Sequence, residues 1–359
     1  MTSYEIDFMP VGNGSKSGDA ICLRYGYEGN WCIHVVDGGT KDSGEALVEH
    51  INANYGSPSF MDHVVLTHPD DDHSSGLIHV VESFEVGVLW LHRPWLYVDD
   101  LVHRFQNGNW TPDGLAKRLR ADLPNVARLE EIAIQRGIPM EAPFRGAQIG
   151  EFQVLAPSFD RYLDLVPEFS RTPQAKFRAE QEPGLFGGVA ELVRSATTWL
   201  MESWNVETLS EDGETSATNE SSVVQIGHVA DRKVLFTGDA GRAALEEAAD
   251  TAGANNGNLK LSMMQVPHHG SRRNVTPSLL DRFLGETKPQ GTDPSFTAVA
   301  SAGESSEEHP RRQVVNAFIR RGGKVVGTKG SKLWHQFNTE SRDGWSASDP
   351  YPFYNQVDK

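Results

Sequence analysis

The sequence predicts an α/β fold with helices packed outside its sheets. Three observations carry this: short apolar runs of strand length recur in two halves of the chain, helical stretches alternate with them, and Gly-rich or polar turns separate them. The chain of 359 residues is 38% hydrophobic and 23% charged, the balance of a folded globular protein rather than a disordered one. Its formal charge of −16 repels polyanions, so contact with nucleic acid would need a local basic patch. Only two cysteines occur, Cys22 and Cys32, both inside apolar runs, which excludes a disulfide scaffold and a cysteine-ligated zinc finger. No run approaches the ~20 apolar residues of a membrane span. The opening MTSYEIDFMPVG lacks the basic and apolar regions of a signal peptide, so a cytoplasmic protein with no membrane partner is expected.

Taken in order, strands are predicted over 4–9, 20–25, 31–36 and 63–67, with a helix over 45–54 before the last. A strand over 86–91 is followed by apolar residues at helical spacing over 95–138, amid many charges, as in an inserted helical region. Residues 146–157 read as a hairpin. The polar stretch 172–220 reads as a long loop around one helix over 189–204, with five acidic residues between Glu207 and Glu220. Regular structure returns with strands over 222–227 and 233–237, a helix over 242–251 and a strand over 261–266. Helices over 277–284 and 311–321 then alternate with strands over 297–301, 324–326 and 332–337.

The strongest chemical signal is Thr67-His68-Pro69-Asp70-Asp71-Asp72-His73, directly after a strand. Two imidazoles and three carboxylates at a strand end can turn toward one point, which is what a divalent metal requires. Two weaker signals share this placement: Thr237-Gly238-Asp239 delivers a carboxylate at a strand tip, and Pro267-His268-His269-Gly270-Ser271 delivers paired histidines after another strand. No G-x-S-x-G elbow, P-loop, or G-x-G-x-x-G at a strand–helix junction is present, so metal-assisted hydrolysis is the economical mechanism.

These residues resemble the metallo-β-lactamase superfamily, whose hallmark H-x-[HD]-x-D-H is here His68, Asp70, Asp72 and His73, followed by Asp239 and His269. Within it they resemble the ComEC-like branch, named for the metallohydrolase part of DNA-uptake competence proteins. Its five motifs correspond to Val11-Gly12-Asn13-Gly14 with Gly18-Asp19-Ala20, Asp37-Gly38-Gly39, His68 to His73, Thr237-Gly238-Asp239, and Pro267 to Ser271, in order. Ser15-Lys16-Ser17-Gly18 is inserted in the first motif. The superfamily's middle histidine has no counterpart: the matching segment is Asn219-Glu220-Ser221-Ser222, similar to the branch's N-x-x-S, and His228 falls after the strand rather than before it.

The resemblance implies an αββα sandwich of two mixed β-sheets with helices on the outer faces, forming one domain over 1–359 with a large, partly helical insertion over 93–218. It implies two divalent ions, zinc or manganese with magnesium as a further candidate. His68, Asp70 and a bridging Asp239 would hold one; Asp72, His73, Asp239 and His269 would hold the other. His269 is preferred to His268 because the family's last ligand precedes Gly. A first site rich in oxygen and poor in imidazole shifts preference from zinc toward manganese or magnesium. Asp37 would orient a ligand. His309, in a His-Pro similar to one of the branch, would act as general acid or phosphate contact. Asp72, His309 and Asp37 are thus the candidate catalytic residues, and His268, Ser271, Arg272 and Asn219 the candidate substrate contacts.

The expected function is a hydrolase using metal-bound hydroxide, acting as a phosphodiesterase or nuclease on nucleic acid or a nucleotide-type substrate. The substrate class is argued from residues 311–332, where Arg311, Arg312, Arg320, Arg321, Lys324, Lys329 and Lys332 occur with no acidic residue; Arg272 and Arg273 follow the His269 turn at once. Those cations also suit a solvated helix face whose last turn favours positive charge. Trp90, Trp95, Trp110, Trp199 and Trp204 would either stack bases or fill core. The alternatives are hydrolysis of a carboxylic ester, lactone or amide, which would need no basic patch, and a metal-binding component of a multi-protein system whose inserted region docks a protein partner.

Overall fold

The computed structural model describes residues 2–12, 17–106, 109–169 and 199–358. Two seven-stranded sheets lie face to face. The first runs, in spatial order, Leu333–Phe337 (β15), Ser3–Phe8 (β1), Ala20–Tyr27 (β2), Asn30–Gly38 (β3), Phe60–Val65 (β4), Glu85–Trp90 (β5) and Met140–Glu141 (β6). The second runs Gly323–Gly327 (β14), Phe296–Ala300 (β13), Met263–Gln265 (β12), Arg232–Phe236 (β11), Val224–Val229 (β10), Phe152–Ala156 (β8) and Gln148–Ile149 (β7). Both sheets are mixed. In the first, β15, β1, β2 and β3 pair antiparallel, and β3, β4, β5 and β6 parallel. In the second, β14 to β11 pair parallel, and β11, β10, β8 and β7 antiparallel.

Strand alternation sorts the side chains into layers. Ile21, Leu23 and Tyr25 of β2 enter the layer between the sheets with Phe8, Val65, Phe152, Phe236 and Val299. Cys22 of the same strand faces outward, where Lys41–Asn54, Asp71–Ser83, Pro112–Asp122 and Pro124–Arg136 cover the first sheet with Leu47, Leu77, Leu115 and Leu129. Helices Arg242–Ala252, Pro277–Leu284 and Arg312–Arg320 cover the second sheet with Leu245, Leu280 and Phe318. The result is the αββα sandwich.

Several expectations are amended. The helix over 189–204 is not found where it can be assessed: 189–198 lies outside the described residues, and Trp199–Met201 is a strand (β9) paired antiparallel with Gln356–Asp358 (β16). The stretch 93–218 does not stand wholly apart, because β6 joins the first sheet and β7 and β8 join the second. Its helices close the first sheet's outer core. Trp90 and Trp95 are core residues at 9% and 4% exposure, whereas Trp199 is half exposed beneath the Arg312 guanidinium, 4.5 Å from its ring centre.

Three of the seven cations of the basic segment 311–332, Arg311, Arg320 and Arg321, are taken up in ion pairs. Arg320 and Arg321 are each 1% exposed. Arg320 donates to Glu202 Oε1 at 2.5 Å and to the carbonyls of Ser203, Trp204 and Val206, fastening that segment over its helix. Arg321 pairs with Glu207 and Asp281, and Arg311 with Asp358. These pairings link residues forty or more positions apart and leave no periodic trace in the sequence.

Candidate metal centre

The candidate residues meet at one mouth of the sandwich, where the parallel strands of both sheets end. Two of the turns there carry backbone that side chains rarely adopt: φ is +57° at Asp37 in one, and +47° at His268 and +58° at His269 in the other. Such strain persists only where the surroundings hold it, and it concentrates at functional sites. Glycine permits the close approaches. A Cβ at Gly76 would lie 2.0 Å from the Gly38 carbonyl, so helix Asp71–Ser83 seats directly on the end of β3 and carries His73 inward. A Cβ at Gly270 would lie 2.4 Å from Pro310 Cβ, which brings the His309 segment against the histidine turn.

Asp239 is the focus. Its Oδ2 lies 3.9 Å from His68 Nε2, 3.5 Å from His73 Nε2 and 3.6 Å from His268 Nε2; its Oδ1 lies 3.6 Å from His269 Nε2. These separations are too long for hydrogen bonds. They suit atoms that share an ion, since ~2.1 Å bonds in a tetrahedron place donors about 3.4 Å apart. His68 Nε2, His73 Nε2, His269 Nε2 and Asp239 Oδ1 are buried with no hydrogen-bond partner among the described residues, an arrangement costly in a protein interior unless a cation completes it. The donor set therefore fits divalent metal.

The far ring nitrogens of His73, His68 and His268 have partners, and that of His269 has none among the described residues. His73 Nδ1 donates to Asp37 Oδ2 at 2.8 Å. His68 Nδ1 lies 3.1 Å from Thr67 Oγ1, which donates to Asp37 Oδ2 at 2.6 Å, while Thr67 N donates to Asp37 Oδ1 at 2.8 Å. His268 Nδ1 lies 3.0 Å from Asn274 Oδ1 and 3.1 Å from Asn219 Nδ2. The bonds to Asp37 Oδ2, Thr67 Oγ1 and Asn274 Oδ1 assign the proton to Nδ1 and leave the Nε2 lone pair facing Asp239, whereas the Asn219 amide, itself a donor, does not fix that tautomer.

The carboxylates complete the ring. Asp70, preceding the helix, has Oδ2 at 3.6 Å from His68 Nε2. Asp72, His73 and His269 offer ligand atoms within 4.8 Å of one another, as do Asp19, His73 and Asp239. Burial raises the Asp19 and Asp72 carboxyls. Burial also acts to raise Asp239, but the imidazoles of His269, His268 and His73 outweigh it and hold this carboxyl well below its ordinary range. Burial lowers His269 to about 4, and burial with His268 and Arg311 nearby lowers His309 to about 4.

Two residues stand differently from expectation. His268, expected at the substrate, aims its Nε2 at Asp239 as His269 does, so four imidazoles face that carboxylate. Asn219, also expected at the substrate, contacts that histidine's other nitrogen. Ser271 Oγ accepts from Arg273 N inside its own turn, and Arg272 follows it half-buried. The His309 ring lies 5.9 Å from that of His268 and 6.4 Å from that of His269. Asp19 and Gln265 were absent from the sequence-derived site; the Gly-Asp-Ala motif signalled the first, and nothing signalled the second.

No protein-family model and no curated relative matches the sequence. Among solved structures, the metallo-β-lactamase fold protein YhfI from Bacillus subtilis is similar at 9% identity, over 93% of this chain and 100% of that one, with a TM-score of 0.42. Zn²⁺-bound PqqB from Methylobacterium extorquens is similar at 11% identity, over 92% and 99%, with a TM-score of 0.39. The metallo-β-lactamase SMB-1 is similar at 12% identity, over 74% and 82%, with a TM-score of 0.34. At these distances the reading of the site rests on its own geometry.

Proposed function

We propose that this protein is a metal-dependent hydrolase of the metallo-β-lactamase superfamily, of its ComEC-like branch by the five ordered motifs, and that it cleaves phosphodiesters. The observation that carries the hydrolase reading is the convergence of four Nε2 atoms on the two oxygens of Asp239, three of them, those of His68, His73 and His269, buried with no hydrogen-bond partner among the described residues. His68, Asp70 and His268 would hold one divalent ion and Asp72, His73, His269 and Asp19 the other, with Asp239 between them. Ions so placed supply a water acidic enough to attack near neutral pH and offset charge on the attacked group. Asp37 and Thr67 keep the ring nitrogens of His73 and His68 in the ligating tautomer. Asn274, through its Oδ1, does the same for His268. His309 stands beyond the histidine turn to hydrogen-bond the leaving group.

The phosphodiester reading is supported by Arg272 and Arg273, which follow His269 and make no ion pair with the described residues. One observation favours a second reading, a carboxylic ester, lactone or amide as substrate: Arg311, Arg320 and Arg321 pair with carboxylates, which removes three of the seven cations argued for phosphate. The test is to strip the protein of metal, restore Mn²⁺, Mg²⁺ or Zn²⁺, and assay bis-p-nitrophenyl phosphate, single- and double-stranded DNA and a lactone panel. Metal-dependent phosphodiester cleavage that is lost in Asp72→Ala is expected. Turnover of lactones alone replaces the first reading with the second, and failure to bind any divalent ion removes both.

A further inference from the structure

The ligands come from two sheets. Asp19, Asp37, His68, Asp70, Asp72 and His73 belong to the end of the first sheet and its helix, and Asp239, His268 and His269 to the end of the second. Between the sheets lies an apolar layer of Phe8, Leu23, Phe152 and Phe236. Such contacts are non-directional and do not by themselves hold two sets of ligands at a fixed spacing. At the mouth two polar links cross that layer: Val223 N donates to the Thr67 carbonyl at 3.0 Å, and one polar side chain bonds to both halves. Gln265, the last residue of β12, is 1% exposed. Its Oε1 accepts from Thr237 N at 2.9 Å and Gly238 N at 3.1 Å, the turn that presents Asp239, and its Nε2 donates to Asp19 Oδ2 at 2.8 Å.

The amide has one workable orientation, because the reverse would set an NH₂ group against two backbone N–H groups and an oxygen against a carboxylate. The turn it grips packs on the first sheet's Thr67, whose Oγ1 is 3.0 Å from where a Gly238 Cβ would sit.

We propose that Gln265 is a positioning residue that locks the Asp239 turn of the second sheet to Asp19 of the first, and so sets the distance between the two metal-binding halves. This rests on the metal-centre reading. Glutamate at this position would keep the acceptor for Thr237 and Gly238 but face Asp19 with a second buried carboxylate; methionine would remove both functions at similar volume.

The experiment loads Mn²⁺ into the full chain and into Gln265→Glu, Gln265→Met, Asp19→Asn and Asp19→Asn/Gln265→Met. It reads stoichiometry and dissociation constants by equilibrium dialysis, and electron paramagnetic resonance distinguishes a magnetically coupled ion pair from isolated ions. Thermal unfolding without metal reports on the fold. In the wild type, two ions and a coupled signal are expected. Both Gln265 variants should bind 10- to 100-fold more weakly and show isolated-ion spectra while unfolding cooperatively. The double variant should lose little beyond its worse parent, because Gln265 acts through Asp19. Unchanged constants and a coupled signal in Gln265→Glu overturn the proposal. So does failure of both Gln265 variants to fold, which would make the side chain a support of the fold alone. A wild type that binds fewer than two ions overturns the metal-centre reading, and this inference with it.

Discussion

Asp37 Oδ2 accepts a 2.8 Å hydrogen bond from His73 Nδ1, joining residues from the end of β3 and the first turn of the next helix but one in the chain. Both side chains are fully buried. The same carboxylate takes two bonds from Thr67 and, through its hydroxyl, reaches His68, so one anion orients two imidazoles. Asp37→Asn should weaken divalent-metal binding 10- to 100-fold, read by competition with a metal-binding dye, because the amide disturbs the tautomers that face Asp239. Unaltered affinity would show that the pair serves the fold only.

The paired histidines invite a direct comparison. His268→Ala and His269→Ala should each reduce metal affinity or stoichiometry, since their Nε2 atoms both lie 3.6 Å from an Asp239 oxygen. Loss in His269→Ala with none in His268→Ala would return His268 to the substrate.

Acid should destabilise the protein through its buried neutral histidines. Burial lowers His92 to about 3 and His335 to about 4. The unfolded chain, with histidine near 6.5, therefore binds more protons than the native state between these values, and stability rises with pH across that window. His92 is stacked between Phe144 and Tyr162 with both ring nitrogens unpartnered, so phenylalanine can take its place. Urea unfolding of His92→Phe from pH 4 to 7 should show a shallower fall toward acid, by up to about 1.4 kcal/mol per pH unit. An identical slope in the variant would mean His92 is not a source of it.

Arg320 should matter for stability and not for substrate. Arg320→Ala leaves Glu202 buried without its cation, at a cost of about 3–5 kcal/mol in denaturant unfolding. Per folded molecule, KM for the best substrate should be unchanged; a raised KM would restore the cation to a role in binding.

Much of the fold was legible because its signals are local. The 297–301 and 324–326 segments are apolar runs of strand length between turn residues, and both are strands of the parallel half-sheet, β13 and β14. Helix 277–284 begins with Thr276 as its cap and a proline behind it, and the structure places it at those bounds. The helix over 189–204 failed in its assessable part because Trp199–Met201 is held by pairing with β16, more than 150 residues away, and no window of sequence contains that partner.

The sequence by itself determined an α/β fold with helices outside its sheets and the grouping of histidines and carboxylates at strand ends, because strand period, turn chemistry and motif spacing are properties of neighbouring residues; the αββα order came from the family resemblance those motifs carry. Tertiary structure alone decided which atoms face one another. It turned His268 toward Asp239, buried Arg320 and Arg321 in pairs with Glu202 and Glu207, and laid Gln265 between Asp19 and the Asp239 turn. Those choices depend on how two sheets meet across an apolar layer. Each is made by residues so far apart in the chain that only packing brings them within hydrogen-bonding reach.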